Sequence, residues 1–146
     1  MKRLLIAGLL LGLLPATPAL AEQSQKFGGY EVHYNAMPTS DLAAEVAKVY
    51  KIERSQTRGL LTISVLKSNP LGGMGTPVKA KLTATAVTLP GQLLKIDMKE
   101  IQEGSAVYYI GQFRVAPPDT LKFTVEAVPQ GTSNTLKTEF SQQFFK

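Results

Sequence analysis

The chain has 146 residues, no cysteine, one histidine and 16 basic against 11 acidic side chains, for a net charge of +5. Without thiols there is no disulfide, no cysteine nucleophile and no thiolate zinc site. The basic excess is spread in ones and twos rather than gathered in a run, which argues against nucleic acid as a partner.

Lys2 and Arg3 precede an apolar run over residues 4–14, and Pro15-Ala-Thr-Pro-Ala-Leu-Ala21 ends in a small-x-small pattern. This is the pattern of an export leader cut after Ala21. The apolar run is about half the roughly twenty residues of a spanning helix. An exported, periplasmic protein is therefore expected, with a single domain over residues 22–146. After cleavage it would not be an integral membrane protein. Losing Lys2 and Arg3 leaves 14 basic against 11 acidic side chains, a mild excess that favours contact with an anionic envelope surface at low salt.

Residues 26–35 read as a first strand, with Tyr30, Val32 and Tyr34 on one face and Glu31, His33 and Asn35 on the other. In residues 39–50 the period lengthens. Leu42, Val46 and Val49 or Tyr50 fall at helical spacing, and Ser40 or Asp41 stands where a cap is needed, so a short amphipathic helix across an open end of the sheets is expected.

Residues 59–67 and 77–86 alternate apolar and polar side chains most clearly. Ser68-Asn-Pro-Leu-Gly-Gly-Met-Gly-Thr76 between them reads as a long hairpin loop. At Val87 and Leu89 the alternation slips by one, which suggests a bulge or a change of sheet. Further strands are expected over residues 92–101, 106–114, 121–127 and 136–145, with turns at Pro90-Gly91, Glu103-Gly104, Pro117-Pro118 and Pro129-Gln-Gly131. The strand at 106–114, apolar on both faces, is expected to be the most buried. About seven strands with one helix predict an all-β, immunoglobulin-like antiparallel sandwich.

Several stretches, in this order, carry a family resemblance: Phe27-Gly-Gly-Tyr-Glu-Val-His-Tyr34, Glu45-Val-Ala-Lys48 with Tyr50, Arg58-Gly59-Leu60 leading into Ile63-Ser-Val-Leu-Lys67, Pro77-Val-Lys-Ala80 and Tyr108-Tyr109-Ile110. They resemble the secreted bacterial proteins of domain-of-unknown-function family 4426. The resemblance implies an exported single-domain sandwich and transfers no catalytic residues.

His33 is the one side chain with an ordinary pKa near neutrality, and Glu31 shares its face, as a carboxylate-oriented base or a metal ligand would require. No Gly-x-Ser-x-Gly context accompanies it, and two solvated side chains explain the pair as well. A thioether copper(I) site would need Met37, Met74 and Met98 to meet His33. Leu71-Gly-Gly-Met-Gly75 is not a phosphate loop, because Thr76-Pro77 leads into a strand. Leu71 and Met74 instead place apolar groups at a loop tip.

The reading that follows is a non-enzymatic periplasmic binding or accessory protein without a cofactor. It would meet a protein or other envelope component through loops or a sheet edge, with Leu71, Met74, His33 and Glu31 as binding candidates. The alternatives are a small-molecule or lipid binder between the sheets, and an enzyme using His33.

Overall fold

The computed structural model describes residues 23–146, so the leader expected over residues 1–21 lies outside the described residues. Gly28 and Gly29 join β1 (Gln23–Phe27) to β2 (Tyr30–Pro38), with Phe27 opposite Tyr30. Gly28 takes a φ of +49°, and a two-residue turn of that hand matches the twist of the flanking strands. The single strand expected over residues 26–35 is therefore a hairpin.

Beyond β2 come a 3-10 turn (Thr39–Asp41) and α1 (Ala44–Val49). Neither Ser40 nor Asp41 caps α1; the cap position is Ala43, with no side-chain hydrogen bond. The buried Thr39 hydroxyl instead donates toward the Glu53 carbonyl at 2.9 Å and accepts the Ser55 amide at 2.8 Å, closing residues 39–55 into a compact excursion. Ala47, Ile52 and Leu60 form its small core, with Met37, Leu42, Tyr50 and Ile110 against them. Val46 and Val49 point outward, contrary to the expected apolar stripe. Since Leu60 and Ile110 belong to the sheet, the helix lies over a sheet face rather than across an open end.

The excursion returns as β3 (Arg58–Lys67), which pairs with β2 along its length. It does not form the expected hairpin with the next clear strand. Only β4 (Thr76–Pro77) comes back to Leu66 and Lys67, after which the chain crosses over to begin β5 (Ala80–Thr88) in a second sheet. β6 (Leu93–Ile96) and β7 (Lys99–Glu103) divide the strand expected over residues 92–101 between the two sheets. Then follow β8 (Ala106–Arg114), β9 (Asp119–Pro129) and β10 (Leu136–Phe144).

The larger sheet runs β1-β2-β3-β8-β7 with β4 beside β3, and the smaller runs β10-β9-β5-β6, every pairing antiparallel. This is an antiparallel β-sandwich of immunoglobulin type. The β5–β9 register is unbroken from Ala80 opposite Pro129 to Thr88 opposite Leu121, so the slip at Val87 is no bulge. Val87 and Leu89 are apolar side chains on the solvent face.

Val32, Leu61, Ile63 and Val65 from the larger sheet meet Leu121, Phe123, Val125 and Ala127 from the smaller one, all of them fully buried. Between the layers, Tyr34 stacks on Phe140 at 4.3 Å between ring centroids, Phe140 on Phe123 at 4.9 Å, and Phe113 sits edge-on to Phe123 and Phe144. Such ring contacts each add about 0.5–1.5 kcal/mol beyond area burial. They also occupy the space that a ligand between the sheets would need. The most buried strands are β3 and β9 rather than β8, whose Tyr108 and Ile110 face the α1 side and are only partly covered.

Candidate functional site

Strand alternation places Glu31, His33 and Asn35 on the outer face of the larger sheet, opposite the core-facing Val32. Register brings Ser24 of β1 and Ser64 of β3 to either side of His33. His33 Nε2 lies 3.5 Å from Glu31 Oε1, and the Ser24 hydroxyl donates to that same oxygen at 2.7 Å. A hydrolytic triad places imidazole between hydroxyl and carboxylate; here the carboxylate stands between the other two. The arrangement holds Glu31 in place and aims the Ser24 hydroxyl at the carboxylate rather than at the imidazole.

The three methionines lie apart. Met37 packs in the α1 core, Met98 lies over Gly111 beside the main core, and Met74 is exposed on the loop between β3 and β4. They do not gather around His33.

That loop is pinned at its base and bare at its tip. Asn69 Oδ1 accepts the Leu71 amide at 3.0 Å, its carbonyl accepts the Gly72 amide, and Ser68 donates to Gly29 of the first turn. Gly72 and Gly73 both take φ near +85°, a conformation that side chains resist. Above this frame Leu71 is 96% and Met74 89% exposed. Leu71 and Met74 thus share one tip, whereas Glu31 and His33 lie on the face of the larger sheet.

Sequence reasoning missed two groups of tyrosines. Tyr50 at the end of α1, Tyr108 of β8 and Glu103 of β7 form one hydrogen-bonded cluster on the outer face of the larger sheet. Both phenols are held above their ordinary pKa, Tyr50 chiefly by its hydrogen bond to Glu103 and Tyr108 chiefly by burial. Tyr109, on the opposite face, donates to Glu100 Oε1 at 2.9 Å and accepts the Ala80 amide at 2.8 Å. It ties the larger sheet to the first residue of β5. No local signal marks these pairings, because Tyr50 and Glu103 are 53 residues apart.

Among the described residues, β2 runs past the end of its outer neighbour β1. β1 begins at Gln23 opposite Tyr34, so among the described residues nothing pairs with residues 35–38 on the side away from β3. β10, the outer strand of the smaller sheet, runs beside this gap. Between them lies a cleft of about 540 Å³ lined by Asn35, Met37, Phe140, Gln142, Gln143 and Phe144 among others. Alternate residues of a strand turn their amide and carbonyl groups to one side, so this wall offers backbone donors and acceptors beside apolar and amide side chains.

The model of the family described as a domain of unknown function, DUF4426, matches residues 24–146. The crystal structure of a DUF4426 family protein from Pseudomonas aeruginosa PAO1 superposes with a TM-score of 0.72 at 29% identity, covering 85% of this chain and 94% of that one. FetP of uropathogenic Escherichia coli superposes with a TM-score of 0.60 at 8% identity over 85% of this chain and 93% of its own. A copper-bound variant of FetP gives 0.59 at 8% identity over 85% and 95%. At that identity the likeness to FetP is one of fold. No curated protein matches the chain.

Proposed function

The chain belongs to the DUF4426 family, and from that premise we propose that it is a non-enzymatic binding or accessory protein of the periplasm that takes up an extended segment of an envelope partner along this edge of β2. The observation that carries this reading is the stretch of β2 at residues 35–38, which no described residue pairs on the side away from β3, beside the cleft under β10. Added strands bind through backbone groups and are selected by pockets for alternate side chains, which is what this wall and cleft provide. Export follows from the leader pattern of residues 1–21.

The test is in-cell photo-crosslinking from Gln142 in the cleft, with a control probe at Thr83 on the outer face of the smaller sheet. A discrete partner captured from Gln142 alone, whose purified segment slows amide exchange at Asn35 to Met37, is the expected result. Equal capture from both positions, or unchanged exchange at residues 35–37, overturns the reading.

The pinned loop favours a second contact, in which Leu71 and Met74 insert into an apolar recess of the partner. A probe at Met74 tests it independently. Capture of the same partner makes the loop part of one interface, and silence there removes the loop from it. Copper chemistry draws no support from the placement of Met37, Met74 and Met98. His33 and Glu31 remain binding candidates on the sheet face, read out by the effect of His33→Ala on capture.

A further inference from the structure

Strands β5 and β6 are joined by a tight turn in which Thr88 and Gln92 hydrogen-bond to each other twice and Gly91 adopts a φ of +97°. This turn lifts Leu89 into solvent at 78% exposure, and Leu93 just beyond it is 58% exposed. Val87, opposite Leu93 in the register, extends the same apolar patch. Contiguous exposed apolar side chains of this kind are a mark of a contact surface.

The charges beside the tip are mostly positive. Arg58 and Arg114 stand directly opposite each other in β3 and β8, a like-charge pairing that costs the sheet stability. A cleft brings both arginines next to Thr88 and Gln92, and an adjoining one brings them next to Leu93 and Lys95. Lys122, opposite Val87 on the other side, adds a fourth cation. Against these stand Glu53, 3.7 Å from Arg58 and itself 72% exposed, and Asp119, whose Oδ1 already accepts the Thr120 amide.

We propose that this end of the sandwich is a docking surface for a membrane leaflet rich in anionic phospholipid. Leu89 and Leu93 enter the acyl boundary, while Arg58, Arg114, Lys95 and Lys122 meet lipid phosphates. Charge complementarity selects the occupant: apolar side chains ringed by cations fit an anionic interface, whereas a neutral protein surface would leave the net positive charge of this end uncompensated. No helix among the described residues is long and apolar enough to cross a membrane, and the attachment proposed is a peripheral one. The surface is separate from the cleft under β10, so either assignment can fail without the other.

Sedimentation of the purified protein with phosphatidylglycerol vesicles, against phosphatidylcholine vesicles, tests the proposal. The wild-type chain is expected to bind the anionic vesicles only and to be released by salt. Arg58→Gln with Arg114→Gln should weaken binding about fivefold per charge, and Leu89→Ser with Leu93→Ser should abolish stable attachment. Each variant replaces exposed side chains, and a cooperative melting transition no lower than that of the wild type verifies its fold. Lys79→Gln with Lys81→Gln, removing the same charge at the opposite end, should leave binding near the wild-type level. An equal loss in that control reduces the effect to net charge and overturns the proposal. So does wild-type binding by the double serine variant, absence of binding to either vesicle, or saturation of the arginines by glycerol phosphate without vesicle attachment.

Discussion

Tyr109 and Glu100 face each other across β8 and β7, and the phenol that donates to this carboxylate at 2.9 Å also accepts the Ala80 amide of the other sheet at 2.8 Å. One side chain therefore fastens an edge strand of the larger sheet to the first residue of β5. Tyr109→Phe removes both bonds and leaves the Ala80 amide without its acceptor, so a loss of about 1–2 kcal/mol is expected. Urea unfolding should show a lower midpoint with an unchanged slope.

The same phenols give the fold an alkaline limit. Burial, together with hydrogen bonds to Glu100 and to Tyr50 and Glu103, raises the pKa of Tyr109 and Tyr108 above the ordinary phenol value near 10. Above that value the unfolded chain loses these protons before the native state does. Stability should therefore be full below about pH 10 and fall as the pH rises through the native values. Unfolding midpoints measured across this range should decline less steeply for Tyr109→Phe than for the wild type.

Gly59 lies beneath the ring of Phe113, where an added Cβ would come within 2.1 Å of two ring carbons. Gly59→Ala is expected to destabilise the protein by about 1–3 kcal/mol through overpacking. Phe113→Leu should absorb part of that cost, giving a double-mutant coupling of at least about 0.5 kcal/mol in chemical denaturation.

Thr138 of β10 is fully buried, and its hydroxyl has no hydrogen-bond partner among the described residues. Thr138→Val keeps the shape and removes an unsatisfied group, so a gain of about 1 kcal/mol in unfolding free energy is expected. A loss in thermal or urea unfolding would show that the hydroxyl is satisfied in solution.

Leu71→Ser and Met74→Ser replace side chains that are almost wholly exposed, so each should change stability by less than about 0.5 kcal/mol. A larger fall in the melting transition would mean that the loop packs against the fold rather than standing clear for a partner.

Local alternation was enough to assign the all-β class and most inward faces. Leu61, Ile63 and Val65 in β3 and Leu121, Phe123, Val125 and Ala127 in β9 are buried as their spacing predicts, because side-chain direction in a strand depends only on residue parity. The helix was legible in its position but not in its face, since tertiary contacts with Leu60 and Ile110 turn Ala47 inward and leave Val46 and Val49 in water. Leu71 and Met74 were legible as an exposed tip from the surrounding turn formers.

Strand partnership was decided only by the tertiary structure. The 59–67 and 77–86 stretches look like a hairpin because both alternate, yet β3 takes β2 and β8 as neighbours and β5 takes β9 and β6. Parity orients side chains within a strand and says nothing about which strand lies alongside. The cleft between β10 and residues 35–38 of β2, the Arg58–Arg114 pair beside Leu89 and Leu93, and the Tyr109 tie all join residues far apart in the chain. Each exists only because two sheets, stacked in one order and one register, bring those residues together.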